Sequence, residues 1–359
     1  MAQENLLREH LTIRIAEKSN NHIVSFDGLR GFASLAVFLD HAGSEGFVNL
    51  SNQMEGLGKI GVALFYTLSG FLMAHLYLTK AFSKFNIKRY FVARIARIVP
   101  LFYLAIIFGA FMLFTFEISI YGFNNIFQIV MNFLFIRGNG VLWSIAAEVQ
   151  FYFIFVILWG ATNRGVIWPV ILLLIVAQQI LILIYFSVNN THSNILIYWL
   201  HYFVLGILIN FLTVKYVGHY VKFKEYTHTG WIAASLLGIF LVIMPGSRMA
   251  LGWEQIPIFF DPFVFFGVFL FVQLSFVERG PFAVLASPVM VWLGARSFGI
   301  YLFHVPTLLI LGYFLPETWK SNGLSFGIVL IIVLATADIL HRLVERPAGL
   351  WIRRRGGSL

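Results

Sequence analysis

Apolar runs of about twenty residues recur along the whole chain, and nothing else in the sequence constrains the fold so strongly. Taken as spans they fall at roughly 27–46, 59–79, 96–116, 142–162, 166–187, 195–214, 230–246, 257–276, 288–313 and 324–345. In lipid such a segment has to satisfy its backbone hydrogen bonds internally, which makes each run a helix. The expected fold is an all-α polytopic membrane protein with about ten transmembrane helices in one bundle. Composition agrees, with 59% hydrophobic and 11% charged residues, where a soluble domain lies nearer half and a quarter. Thirty-nine Phe, fourteen Tyr and nine Trp suit a lipid-facing surface with interfacial aromatic belts.

Charge sets the orientation. Lys80, Lys84, Lys88, Arg89, Arg94 and Arg97 crowd between the second and third runs, so that side is cytoplasmic by the positive-inside rule. Alternation then places Arg164, Lys215, Lys222, Lys224, Arg279 and the Arg353-Arg354-Arg355 tail on the same side. The segments 47–58, 188–194, 247–256 and 314–323, poor in Lys and Arg, fall opposite, and both termini are cytoplasmic. The net charge of +9 therefore reports topology and no nucleic-acid partner. Zero cysteines exclude disulfides, thiolate metal sites and a covalent cysteine mechanism, and no metal is expected. Residues 1–25 read as a polar or interfacial tail without a small-residue cleavage site, 26–347 as the transmembrane domain and 348–359 as a basic cytoplasmic tail. Two sequons, at Asn49 and Asn189, fall on the outer side. Residues 117–141 are too polar for a span and read as a re-entrant or interfacial segment.

Polar groups inside apolar runs carry the functional expectation. Arg30 and His41 lie in the first run almost three turns apart, so both leave the helix on one face, roughly 16 Å from each other along its axis. An intramembrane cation and imidazole on one stripe point to a protein- or water-lined cavity, although an Arg snorkelling to one interface and a His capping the other would look alike. Arg94 and Arg97 share a helix face at the cytoplasmic end of the third run, where guanidinium forks suit phosphates as well as membrane anchoring. In the fourth run, which begins near Trp143, Ser144 and Glu148 are four residues apart. A carboxylate at that depth is paired, neutralised or wet, and is a candidate acid, base or orienter. An ion pair with Arg30 or another intramembrane Arg is its structural alternative. Ser297, Tyr301 and His304 form a stripe on the ninth run that should face the bundle interior. Glu345-Arg346-Pro347 reads as a helix end with local ion pairing and no chemistry of its own.

In this order the motifs resemble acyltransferase family 3, integral membrane proteins that acylate cell-surface carbohydrates. The resemblance runs from Phe26 to about Arg355 and rests on Arg30-x10-His41, FYTLSGFLM (65–73), RIARIVP (94–100), LWSIAAEVQFY (142–152), GARSFGIYLFHVP (294–306) and Glu345-Arg346-Pro347. It implies transfer of an acyl group, usually acetyl, from cytoplasmic acyl-coenzyme A to a hydroxyl of a cell-surface or lipid-linked carbohydrate, in a bacterial inner membrane. On that resemblance His41 is the catalytic base or acyl relay, Arg30 its partner, Glu148 part of the catalytic or acceptor pocket, and Arg94 and Arg97 the coenzyme A entrance. Ser69, Trp143, Ser144, Tyr301 and His304 are expected to line the substrate site. Val149 stands where a second acidic residue is frequent, and Phe298 where Tyr is common, so neither position is assigned a role. Direct attack and an acyl-His41 intermediate both fit the sequence, as do acetyl and succinyl donors. A glycolipid transporter or flippase would also carry intramembrane Arg, His and Glu, but its usual paired interrupted helices are not apparent. A non-catalytic scaffold of an export machine is the third reading.

Overall fold

The first run becomes helix α1, Val24–Ser44. Its buried face is built largely from Gly28, Gly31, Ala33, Ser34 and Ala36, small residues that let neighbouring backbones come close. In the computed structural model, which describes residues 23–49, 56–189, 195–216, 229–243, 245–253, 256–316 and 323–357, α1 packs along α11 (Pro288–Phe314) and α2 (Leu57–Tyr77). A Cβ placed on Gly28 would lie 1.9 Å from the Leu285 carbonyl oxygen, and one on Gly294 would lie 1.9 Å from that of Asp27. The α1 backbone therefore touches both α11 and the 3₁₀ turn Gly280–Ala286 that precedes it, which only glycine allows. Helix α2 is joined to α7 (Leu196–Lys215) in the same way, with Gly70 against the Phe203 carbonyl and Gly206 against that of Thr67.

Between them run α3 (Lys84–Phe116), α4 (Ile126–Phe133), α5 (Trp143–Asn163), α6 (Ile167–Asn189), α8 (Thr229–Ile243), α9 (Pro245–Ala250) and α10 (Pro262–Ser275). The chain ends in α12 (Gly323–Leu340), a π-helical turn at His341–Glu345 and α13 (Arg346–Arg355). No strand occurs among the described residues. Helix α6 is apolar over most of its surface, with Gln178 turned inward to His201, and leaves Leu172, Leu173 and Leu183 exposed, a surface suited to lipid. Each of the ten expected runs contains a helix, but among the described residues seven are long and apolar enough to cross a membrane. The count is eight if α10 and the 3₁₀ turn Gly280–Ala286, bent 73° from it, form one span. Helix α1 has the length, 21 residues, but contains Asp27, Arg30 and Asp40, and α8 has only 15 residues. Residues 1–22, both sequons beyond Asn49 and Asn189, and Lys222 and Lys224 lie outside the described residues.

Two prolines shape the interior by what they cannot donate. Pro306 in α11 leaves the Leu302 carbonyl without its helical partner, and the Tyr121 hydroxyl donates to it at 2.9 Å. Pro100 in α3 likewise frees the Ala96 carbonyl, and α13 lies across that point with Gly349 against it. The segment 117–141 folds back between α3 and α5. Asn132 bonds to the Gln128 carbonyl and the Asn139 side chain, while Gln150 on α5 donates to the Phe135 and Ile136 carbonyls. Its polar residues thus satisfy backbone that lipid could not.

Candidate functional site

The small-residue faces of α1, α2 and α11 bring side chains from five helices around one narrow cavity of about 40 Å³. Arg30 enters it from α1, Ser69 and Tyr66 from α2, Arg94 and Arg97 from α3, Ser144 and Glu148 from α5, and Ser297, Phe298 and Tyr301 from α11. Seven of the expected site residues therefore meet on one surface: Arg30, Ser69, Arg94, Arg97, Ser144, Glu148 and Tyr301. His41, His304 and Trp143 are not on it. Trp143 packs against Trp199 and Tyr66, with ring centroids 5.3 and 6.3 Å apart.

Glu148 is held by hydroxyls. Its Oε1 accepts from Ser69 Oγ at 2.7 Å and from the Tyr152 hydroxyl at 2.9 Å. No cation lies within salt-bridge distance of it among the described residues, so the ion pair with Arg30 does not form. Arg30 instead makes a long contact of 3.4 Å to Asp27, one turn back on its own helix. The Arg94 guanidinium sits over the rings of Tyr77, Tyr90 and Tyr152 at 5.9–6.0 Å, with its Nε buried and unpartnered. Three guanidinium groups thus face one carboxylate across the cavity. Such an arrangement favours an anionic ligand or developing negative charge in a place where water screens little.

Tyr301 and Ser144 form a structural tie as well as a wall. Ser144 Oγ donates to the Tyr301 oxygen at 2.7 Å, and the Tyr301 hydroxyl donates to the Val141 carbonyl at 3.0 Å. One turn beyond Tyr301, the fully buried His304 packs edge-on against His41, with centroids 4.9 Å apart. His41 Nδ1 lies 2.9 Å from the Val37 carbonyl and His304 Nδ1 3.0 Å from that of Ile300. A carbonyl only accepts, so in the neutral rings each Nδ1 carries the hydrogen and each Nε2 keeps a lone pair. The Nε2 of His304 is buried and has no partner. The polar stripe therefore runs from the three arginines past Glu148 and Tyr301 to the paired imidazoles, along the face shared by α1 and α11.

Tyr152 was missing from the residues singled out in the sequence, although it lies four residues after Glu148 on the same helix face, a spacing that signals contact. In the tyrosine cage of Arg94, Tyr90 lies four residues before it on α3, a spacing that signals contact, whereas Tyr77 and Tyr152 come from α2 and α5 and leave no local sign.

Residues 23–342 match the family model described as an acyltransferase domain. The chain is 23% identical over 376 residues to the O-acetyltransferase OatA of Staphylococcus aureus (strain NCTC 8325 / PS 47), covering 94% of this chain and 58% of that protein. It is 26% identical over 405 residues to the peptidoglycan O-acetyltransferase OatA of Listeria monocytogenes, covering 96% of this chain and 58% of that protein. The chain thus spans less than two thirds of the length of the curated relatives it matches. No solved structure matches it.

Proposed function

Because the chain belongs to acyltransferase family 3, we propose that it is a multi-pass O-acyltransferase. It transfers an acyl group, acetyl first among candidates, from cytoplasmic acyl-coenzyme A to a hydroxyl of a surface or lipid-linked carbohydrate. The observation that carries this reading is the single cavity in which Arg30, Arg94 and Arg97 face Glu148, continued by Tyr301 to the His304–His41 pair. The relatives' names, O-acetyltransferase and peptidoglycan O-acetyltransferase, favour acetyl as the group and a glycan as the acceptor. In this reading α1, α8 and α10 also cross the membrane. That makes ten spans in the cytoplasmic membrane with both termini inside, and residues 26–347 as the acyltransferase unit.

His41 Nε2 takes the proton of the acceptor hydroxyl as its oxygen attacks the thioester carbonyl. The tetrahedral oxyanion forms in the field of the arginines. Its collapse breaks the C–S bond, and the leaving thiolate recovers the proton from His41. In the two-step variant His41 Nε2 itself attacks, and the acyl-imidazole is then cleaved by the hydroxyl. Glu148, oriented by Ser69 and Tyr152, positions the acceptor hydroxyls or the cationic imidazole.

The test is purified protein in lipid nanodiscs with radiolabelled acetyl-coenzyme A, followed for thiol release and for label on an added glycan acceptor. Thiol release that depends on acceptor and disappears in His41→Ala is the expected outcome. Absence of thioester cleavage with every glycan tried, together with export of a labelled glycolipid that survives His41→Ala, would replace this reading by transport.

A further inference from the structure

Below the site lies a second chamber, of about 250 Å³, roofed by the π-helical turn and α13. It abuts the first cavity, because Arg30, Arg97, Ser297 and Phe298 line both. Four arginines surround it, Arg30 and Arg97 from the bundle and Arg346 and Arg353 from the C-terminal segment, against two carboxylates, Asp27 and Glu345. Both carboxylates are engaged, Asp27 with Arg30 at 3.4 Å and Glu345 with His341 at 3.1 Å. Arg97, Arg346 and Arg353 make no salt bridge among the described residues, and the Arg353 Nε is buried without a partner. By contrast Arg342, on the same turn, points out of the chamber and is paired with Asp338 at 2.8 Å.

The segment is built into the bundle. Gly349 seats α13 on the carbonyl that Pro100 frees, and a Cβ on Gly356 would lie 2.4 Å from a Val92 methyl, so both ends of α13 are docked on α3. The π-helical turn, a feature that often marks functional sites, sets Arg346 and Arg353 on the chamber side. Unpaired guanidinium forks around a half-open cleft suit phosphate oxygens, which accept bidentate bonds.

We propose that this chamber binds the phosphate-bearing nucleotide end of the donor, with Arg346 and Arg353 of the C-terminal helix joining Arg97 on its phosphates. The inference rests on the acyl-coenzyme A donor proposed above. It gives Arg94 a different task from Arg97: Arg94 is enclosed by tyrosines in the upper cavity and meets the acyl arm or its thioester, not the phosphates. The shared wall at Arg30 and Ser297 is then where the arm passes from one space to the other.

Equilibrium binding of coenzyme A, 3′-dephospho-coenzyme A and pantetheine to the purified full chain in nanodiscs tests this, with thiol release measured in parallel. Arg353→Gln and Arg346→Gln should each weaken coenzyme A about tenfold, the loss expected for one charge-assisted bond, and leave pantetheine unchanged. Arg353→Lys should recover part of the loss, and Arg342→Gln should change nothing. Equal coenzyme A affinity in wild type and in the folded double variant would overturn the proposal. So would variants that lose only stabilisation by phosphatidylglycerol in the nanodisc, which would make the chamber a lipid headgroup site. Arginine-dependent coenzyme A binding without any acyl transfer would sustain the chamber while refuting the enzymatic reading. No coenzyme A binding by wild type would refute both.

Discussion

Gly294 is one of three positions, with Gly28 and Gly206, where a single added carbon meets a backbone carbonyl oxygen at 1.9 Å. Its Cβ would lie 1.9 Å from the Asp27 carbonyl oxygen and 2.4 Å from the carbonyl carbon, atoms of helix backbone that no rotamer change can move. Ordinary contact begins at 3.4 Å, so α1 and α11 must part by about 1.5 Å or bend. Overpacking of this kind costs about 1–3 kcal/mol, and displacing reacting groups by about 1 Å costs on the order of a hundredfold in rate. Arg30 sits one turn from the contact, and the same two helices carry His41 and His304. Gly294→Ala should therefore lower thermal stability, read by tryptophan fluorescence in detergent, and reduce acetyl-coenzyme A turnover about a hundredfold in the protein that remains folded. Gly327→Ala in α12 is the control, since nothing lies within 4 Å of the added carbon; removing a helical glycine there should be neutral or stabilise by about 0.5–1 kcal/mol. If Gly294→Ala is as stable and as active as Gly327→Ala, the helix contact does not govern the site and the argument fails.

Ser69→Ala removes the 2.7 Å donor to Glu148 and should slow turnover by about tenfold, as the loss of one hydrogen bond to a charged group implies; an unchanged rate would show that Glu148 needs no orienting. Glu148→Gln keeps the side-chain size and removes the charge, so near-complete loss of transfer with unaltered thermal stability is expected, and retained transfer would dismiss the carboxylate from the chemistry. Tyr121→Phe strips the Leu302 carbonyl of its donor and should destabilise by about 1–3 kcal/mol. In a Pro306→Ala background, where the helix supplies its own donor, the same change should cost clearly less, and additive effects in that double-mutant cycle would refute the pairing.

The order and length of the apolar runs determined by themselves that the chain is helical and built for lipid, because backbone hydrogen bonding in hydrocarbon leaves no other solution. The i, i+4 and i, i+3 spacings likewise put Ser144 with Glu148 and Tyr301 with His304 on common faces, since the geometry of one helix suffices for that. Hydropathy served α1 least well, because the helix at the centre of the site is the one that carries Asp27, Arg30 and Asp40. Only the tertiary structure decided that Glu148 rests on Ser69 and Tyr152 and not on Arg30, and that His41 meets His304 outside the wall of the arginine cavity. It also decided that Arg346 and Arg353, which read as a helix end and a basic tail, turn into a chamber. The reason is that these contacts depend on how far each helix is rotated about its axis and how closely it approaches its neighbours. That is set by glycines such as Gly28 and Gly294 acting on backbone some 260 residues away, and no local period records it.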